Sequence, residues 1–463
     1  MAMLSADKTG LLKAFLGGLP GHVAARLAMA VEVDRLMDGQ TLPHAEILAS
    51  LRPALRQEGQ HKRPPTPLRL FCTPFEDILT SLPRTAKQKA DIARSSLEPI
   101  WTWIAGTLVP DQASAFVHET RALVVARKLD AAMERTAAFW PVAAAAMQAA
   151  LADAKDRKAA EDQLGDALVV ADAREIALLL TAGPVILNLQ AMLPSPVPCL
   201  TEPLLWDLRA VYDRVVQDQP DVAPYIAVIA MNRLARPCEA LRLPLQVTRH
   251  TDDTLISKTD MGLVGEILFA RMEALKNAIQ MTRHPLFDPD MLAEQVKSFT
   301  DLSSGITKEI EIKREGEWGK RLLADRAGIG KVMDNFMDRA PREVLAALPL
   351  MRASGPKTAD FSRPVADEKV QMALGYARLV ANCRKFAAAA SFAARQQGAQ
   401  DEICTEVRRY VEDVIRALRD PEKFKPQIVQ AQFELCVTLT EVLFSGGEAE
   451  LLRRRGRAAQ AAA

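Results

Sequence analysis

Asp288-Pro-Asp-Met-Leu-Ala-Glu-Gln-Val-Lys-Ser-Phe-Thr-Asp-Leu-Ser-Ser-Gly-Ile-Thr-Lys-Glu-Ile310 is the stretch whose periodicity decides the fold class. Leu292, Val296, Phe299, Ser303, Ile306 and Ile310 recur at alternating four- and three-residue steps, the spacing of one helical stripe or a coiled-coil-like seam. The local alternation Glu309-Ile-Glu-Ile-Lys313 imitates a strand, but the longer helical period outweighs it. Leu292, Val296, Phe299, Ile306 and Ile310 therefore form a candidate partner face, with helix core as the ordinary reading of such a stripe. Gly316 and Gly319, around Trp318, mark a bend or a helix end.

Working outward, the same period recurs along most of the chain. Val23, Leu27, Val31 and Val33 are expected on one face after Pro20, and Ile47, Leu48, Leu51 and Leu55 share another beyond the Asp38-Gly39 break. Long helices are expected at about 86–108 and 111–139, with a sharp change of direction at Phe139-Trp140-Pro141. The longest uncharged stretch, Ile176 to Thr201, is broken by Gly183-Pro184, so it reads as two buried helices rather than a membrane span. One β-ribbon is expected near 245–258, where β-branched residues flank Thr251-Asp-Asp-Thr254. The fold class is all-α: an irregular assembly of helical hairpins and bundles. No repeat of solenoid length persists.

Domain boundaries are expected where periodicity fails. Gln57 to Pro67 gains His61, Lys62, Arg63, Pro64 and Pro65 and reads as an exposed link. Met351 to Pro364 contains Ser354-Gly-Pro-Lys357 and reads as a second. This predicts an N-terminal helical segment (1–60), a main helical domain (61–350), a three-helix bundle (364–445) and a mobile basic tail (446–463).

Composition bounds the function. The 463 residues hold 49% hydrophobic and 25% charged side chains, enough apolar material for large cores. Lys+Arg 59 against Asp+Glu 58 gives a net charge of +1, so any attraction to polyanions must come from local patches. Aromatics at 5% are too sparse for a base-stacking surface. The N-terminal stretch lacks a signal-peptide pattern, and no cysteine lies in a C-x-x-C pair. Free buried thiols and a cytoplasmic location are expected.

Chemistry-bearing motifs are weak. Phe116-Val-His-Glu-Thr-Arg-Ala122 puts alanine where a zinc helix needs its second histidine, so neither a metal nor a cofactor is expected. Ala327-Gly-Ile-Gly-Lys331 lacks the spacing of a phosphate loop, which leaves a helix weakened by two glycines. The stretch least like ordinary helix is Arg69-Leu-Phe-Cys-Thr-Pro-Phe-Glu-Asp-Ile-Leu79. Read as a structural clasp, it buries Phe71 and Phe75 against the first long helices. Read as a site, it gathers Arg69, Cys72, Glu76, Arg84 and Lys87 into a catalytic or small-anion pocket. Basic residues at 61–63, 69 and 84–89, and Arg453, Arg454, Arg455 and Arg457 in the tail, supply candidate phosphate contacts to nucleic acid or an anionic membrane. The leading expectation is a non-catalytic helical scaffold or adaptor that binds another protein. An enzyme or anion sensor near 69–89 and an electrostatic surface binder are the alternatives.

Overall fold

The computed structural model describes residues 6–37, 42–44, 46–51, 65–81, 86–248, 256–257, 260–282, 287–351 and 358–462. Helices dominate throughout, as the periodicity predicts. The chain divides into two compact units, Met1–Ala235 and Arg236–Ala463. This boundary differs from those read at 61, 350 and 364. It falls where Ala235 N donates to Val197 O at 2.8 Å and Pro237 begins a short 3-10 turn, with no Pro-rich link to announce it.

In the first unit, α1 (Ala6–Gly17), α2 (Gly21–Leu36) and the helical residues 46–51 enclose a small core of Leu16, Ala24, Ala28, Val31, Ile47, Leu48 and Leu51. A larger aromatic core follows. Short α3 (Pro67–Phe71) is capped by Thr66, whose hydroxyl accepts from Arg69 N, and leads into a 3-10 turn, Thr73–Ile78. Phe71 lies 5.2 Å from Trp101 and 5.9 Å from Phe139, and Phe139 stacks on Phe116 at 4.6 Å. Phe71 and Phe75 are buried, as the clasp reading expects.

The long helices have different bounds from those expected. Residues 86–96 are not α-helical, because Ile92–Ala93 (β2) pairs in parallel with Leu79–Thr80 (β1). α4 (Leu97–Trp103) runs on into a π-turn, and α5 spans Pro110–Val125. α6 (Leu129–Ala150) continues through Pro141, so the change of direction falls at 126–128 instead, where Arg127 takes a positive φ of 59°. A helix tolerates an interior proline when surrounding contacts outweigh one lost backbone bond. Here buried Trp140 holds the helix in place, its Nε1 donating to Phe71 O at 3.1 Å.

α7 (Ala154–Leu164) precedes the uncharged pair, α8 (Ala167–Thr181) and α9 (Gly183–Met192), which bend by 76° at the Gly-Pro break. A Cβ on Gly183 would stand 2.3 Å from the Trp140 ring, so only glycine lets the break between these helices pack this closely on α6. Ile176, Leu179, Leu180, Ile186 and Leu189 are buried. Among the described residues no single helix is long and apolar enough to cross a membrane. α10 (Glu202–Asp218) and the buried α11 (Ala223–Arg233) complete the unit.

The second unit opens with α12 (Arg242–Thr248). The expected ribbon is therefore corrected over 245–248, which is helical. Residues 249–255 and 258–259, where it would turn and return, lie outside the described residues. α13 (Leu263–Met281), α14 (Pro289–Glu309) and α15 (Glu317–Leu345) pack side by side. Asp288 caps α14, its Oδ1 accepting from Asp290 N and Met291 N. Trp318 is fully buried and its Nε1 donates to Glu266 at 2.6 Å. Gly319 sits where a Cβ would meet Lys313 O at 2.0 Å, which explains the glycine at this turn.

α16 (Asp367–Cys383), α17 (Ala393–Leu418) and α18 (Pro426–Leu443) pack on one another and, through α16 and α17, on α14 and α15 of the same unit. The supposed linker is partly stitched to it: Ala359 N donates to Asp413 Oδ2 at 2.9 Å and Phe361 is buried. The tail also differs from expectation. Gly446–Ala461 is a helix, α19, capped by Ser445 and packed on α17 and α18 through Ala449, Leu452 and Ala459. Phe433 lies so close that a Cβ on Gly456 would stand 2.2 Å from its ring. The tail is part of the bundle.

Candidate functional site

Three places were predicted to carry function, and the structure treats each differently. The seam of α14 is interior. Leu292, Val296, Phe299, Ile306 and Ile310 are each at most 3% exposed, so they serve the core of their own unit and present no open face to a partner. The Gly-x-Gly-Lys stretch lies within α15, where Arg326 Nε donates to Ser303 Oγ at 2.5 Å.

The segment 69–93 is brought together, but as a clasp. Arg69 pairs with Glu76 at 3.6 Å on the surface, and Arg84 lies outside the described residues. Cys72 is buried; burial, then the charge of Glu76, push its thiol up to about 12, opposite to what a nucleophile needs. Asp77, next to Glu76, accepts both bonds of Arg233 Nη1 at 3.0 and 3.1 Å. Gln190 Nε2 donates to Asp77 Oδ2 and to Thr73 O, which fixes the 3-10 turn on α9 and α11.

Lys87 is the most constrained cation in this segment. Its ammonium donates to Asp91 O at 2.6 Å, pairs with Asp172 Oδ1 at 2.9 Å, and donates to Glu175 Oε2. Two of its three N–H donors are engaged by the Asp91 carbonyl and Glu175, and two buried carboxylates already balance its charge, which disfavours a further anion. Glu175 Oε1 also accepts from Ala90 N at 2.6 Å and from the Tyr225 hydroxyl at 2.5 Å. Burial, then the charge of Glu175, push the Tyr225 hydroxyl upward, so it remains a proton donor to that carboxylate. Ala90 is held with φ 60°, a left-handed conformation that costs a non-glycine residue about 1 kcal/mol and is sustained here by the Glu175 bond. Lys89 lies over the Tyr225 ring at 5.6 Å.

Sequence reasoning missed Asp172, Glu175 and Tyr225. They lie 85 or more residues from Lys87 along the chain, and no local pattern links them. Two charged residues on the buried face of α8 were the available signal.

The tail arginines are ordered and paired. Arg453 pairs with Glu441 and Glu450, Arg454 and Arg457 with Glu450, and Arg455 with Glu412. Their local field is offset by neighbouring carboxylates. His61, Lys62 and Arg63 lie outside the described residues.

An open concavity that the sequence did not suggest lies in the terminal bundle. It is an apolar trough of about 800 Å³ where α17 ends and α18 begins, lined by Leu418, Pro421, Phe424, Pro426, Val429 and Ala431. Gln427, Gln430, Glu434 and Gln460 border it, with Gln460 donating to Gln430 and Gln430 to Glu434. Among the described residues no group of His, Cys, Asp and Glu is arranged to hold a metal ion.

Comparison with known protein families, with curated proteins and with solved structures finds no match to any of them.

Proposed function

We propose that this chain is a non-catalytic helical scaffold that binds another protein, and that the trough between α17 and α18 receives an amphipathic helix of that partner. The observation that carries this reading is the trough itself: an apolar floor and walls with a rim of three glutamines and Glu434, about 800 Å³ in volume. An apolar stripe flanked by hydrogen-bonding groups is the counterpart of an amphipathic helix laid in a groove. The other readings have less behind them. Lys87 is already hydrogen-bonded to Glu175 and Asp91 and ion-paired with Asp172, which weakens an anion site at 69–89. The tail arginines share the carboxylates of Glu412, Glu441 and Glu450, which weakens a polyanion-binding patch.

The test uses the full chain as bait, with nuclease present and at low and high salt, beside the variant Ala431→Arg. Ala431 is exposed on α18, and arginine is a good helix former that would fill the trough without touching the core. Capture of a protein that withstands high salt and is lost with Ala431→Arg is the expected result. Captured proteins that vanish with salt or nuclease, or that ignore the substitution in a bait with unchanged circular dichroism, would overturn the proposal.

A further inference from the structure

Helix α2 presents a second, self-complementary surface. Its core side is Ala24, Ala28 and Val31, all buried. The face expected to join Val23 and Val33 to Val31 is therefore split: a hundred degrees of rotation per residue places Val23, Arg26, Ala30, Val33 and Met37 together on the side away from Val31, with Leu27 and Asp34 at its edge. Val23 is 37% exposed and Met37 63%, and Arg26 and Ala30 are exposed as well. Such a stripe on a four-turn helix ordinarily faces protein.

The order of these residues specifies the occupant. Antiparallel pairing about a two-fold axis at Ala30 places Arg26 opposite Asp34 of the second helix and Asp34 opposite its Arg26. The same register sets Val23 against Met37 and brings Val33 beside the half-buried Leu27, which also packs on its own core. At the centre, two alanine methyl groups face each other, which allows the helix axes to approach to about 8 Å. An isologous interface requires this property: the patch must complement itself under a two-fold rotation. Among the described residues Arg26 has no ion-pair partner within its own chain. Asp34 is held in place, its Oδ2 lying 2.7 Å from His44 Nε2. A carboxylate accepts several donors, so this contact is compatible with an arginine at the other oxygen.

We propose that this chain associates with a second copy of itself through α2, antiparallel, with Ala30 on the two-fold axis and Arg26–Asp34 ion pairs on either side. One helix face buries less than a standard interface, so the dimer is weak and concentration-dependent.

Sedimentation velocity of the full chain across a concentration series at low salt tests the assignment. The wild-type chain should shift from monomer to dimer as concentration rises. Ala30→Glu places two like charges face to face on the axis and should leave only monomer. Arg26→Glu alone should weaken the dimer about tenfold or more, since it sets carboxylate against carboxylate. The reciprocal double variant, Arg26→Glu with Asp34→Lys, should restore it, because the register pairs those two positions. Helix content and melting temperature establish that each variant folds. Monomer at every concentration, a dimer indifferent to Ala30→Glu, or failure of the folded double variant to recover association would each overturn the proposal.

Discussion

Two basic stretches of this chain look alike in sequence and differ in the fold. The segment around Lys87 and the helix carrying Arg453 to Arg457 both gather cations near glutamate or aspartate. Lys87 is 20% exposed and faces the buried carboxylates of Asp172 and Glu175, while Arg454 and Arg457 are 71% exposed beside a half-open Glu450. The same ion-pair chemistry therefore has opposite weight. An interior pair must remain intact because each lone partner would be a desolvated charge. A surface pair replaces contacts that water makes nearly as well.

The sharpest way to break this contrast is Lys87→Met. It removes the cation and leaves Asp172 and Glu175 buried together, and should destabilise the first unit by about 3–5 kcal/mol in a urea melt. A loss below about 1 kcal/mol would mean that water reaches these carboxylates and that the clasp is not an interior ion pair.

The tail helix has its own anchor, and it is apolar. Leu452 is 4% exposed under the arginines, so Leu452→Ala should cost the second unit about 2–4 kcal/mol. An unchanged melting curve would restore the mobile tail expected from sequence. That expectation failed for an identifiable reason. The buried positions Ala449, Leu452, Gly456 and Ala459 keep helical spacing, but three of the four are alanine or glycine. Small residues signal close packing weakly, because the size of Phe433 on the neighbouring helix makes the contact. The stripe at 292–310 was legible because it is built of leucine, valine, phenylalanine and isoleucine, and its reading as core proved stronger than its reading as a face. Phe71 and Phe75 were legible as a clasp on the same ground. The clasp's polar half was hidden, since Lys87, Asp172, Glu175 and Tyr225 come together only through tertiary folding. The strand pair at 79–80 and 92–93 was hidden too, being two residues long on each side and without alternation.

Burial also separates thiols from ordinary solution behaviour, and the sign of the effect can be worked out. Cys72 has a folded value of about 12 against an ordinary 9.0. Its contribution is complete below about pH 9 and is lost as pH rises toward 12, because the unfolded chain releases the proton first. The stability difference between the wild-type chain and Cys72→Ala should therefore shift by about 1 kcal/mol against the wild type between pH 8 and pH 10. No shift would place Cys72 in contact with solvent. Cys436, buried in the terminal bundle, is pushed up to about 12 by the same cause and should respond alike, so this test joins the two regions where the ion pairs divide them.

The smallest effect is expected from Arg454→Ala. The guanidinium is 71% exposed and its bond to Glu450 is 3.4 Å long. Glu450 also receives Arg453 and Arg457, so it keeps a counter-charge when Arg454 is removed. The cost in stability should stay within about 0.5 kcal/mol and shrink further in salt, as exposed pairs do. The same substitution bears on function. If the helix were a polyanion-binding arm, losing one of its four arginines would reduce retention on duplex DNA or anionic vesicles and lower the salt dependence of binding by about one counterion. In a protein-binding scaffold whose arginines are zipped to Glu412, Glu441 and Glu450, retention is weak from the start and the substitution leaves it unchanged. Strong retention by the wild-type chain, reduced by Arg454→Ala, would move these arginines from the fold's account to the function's.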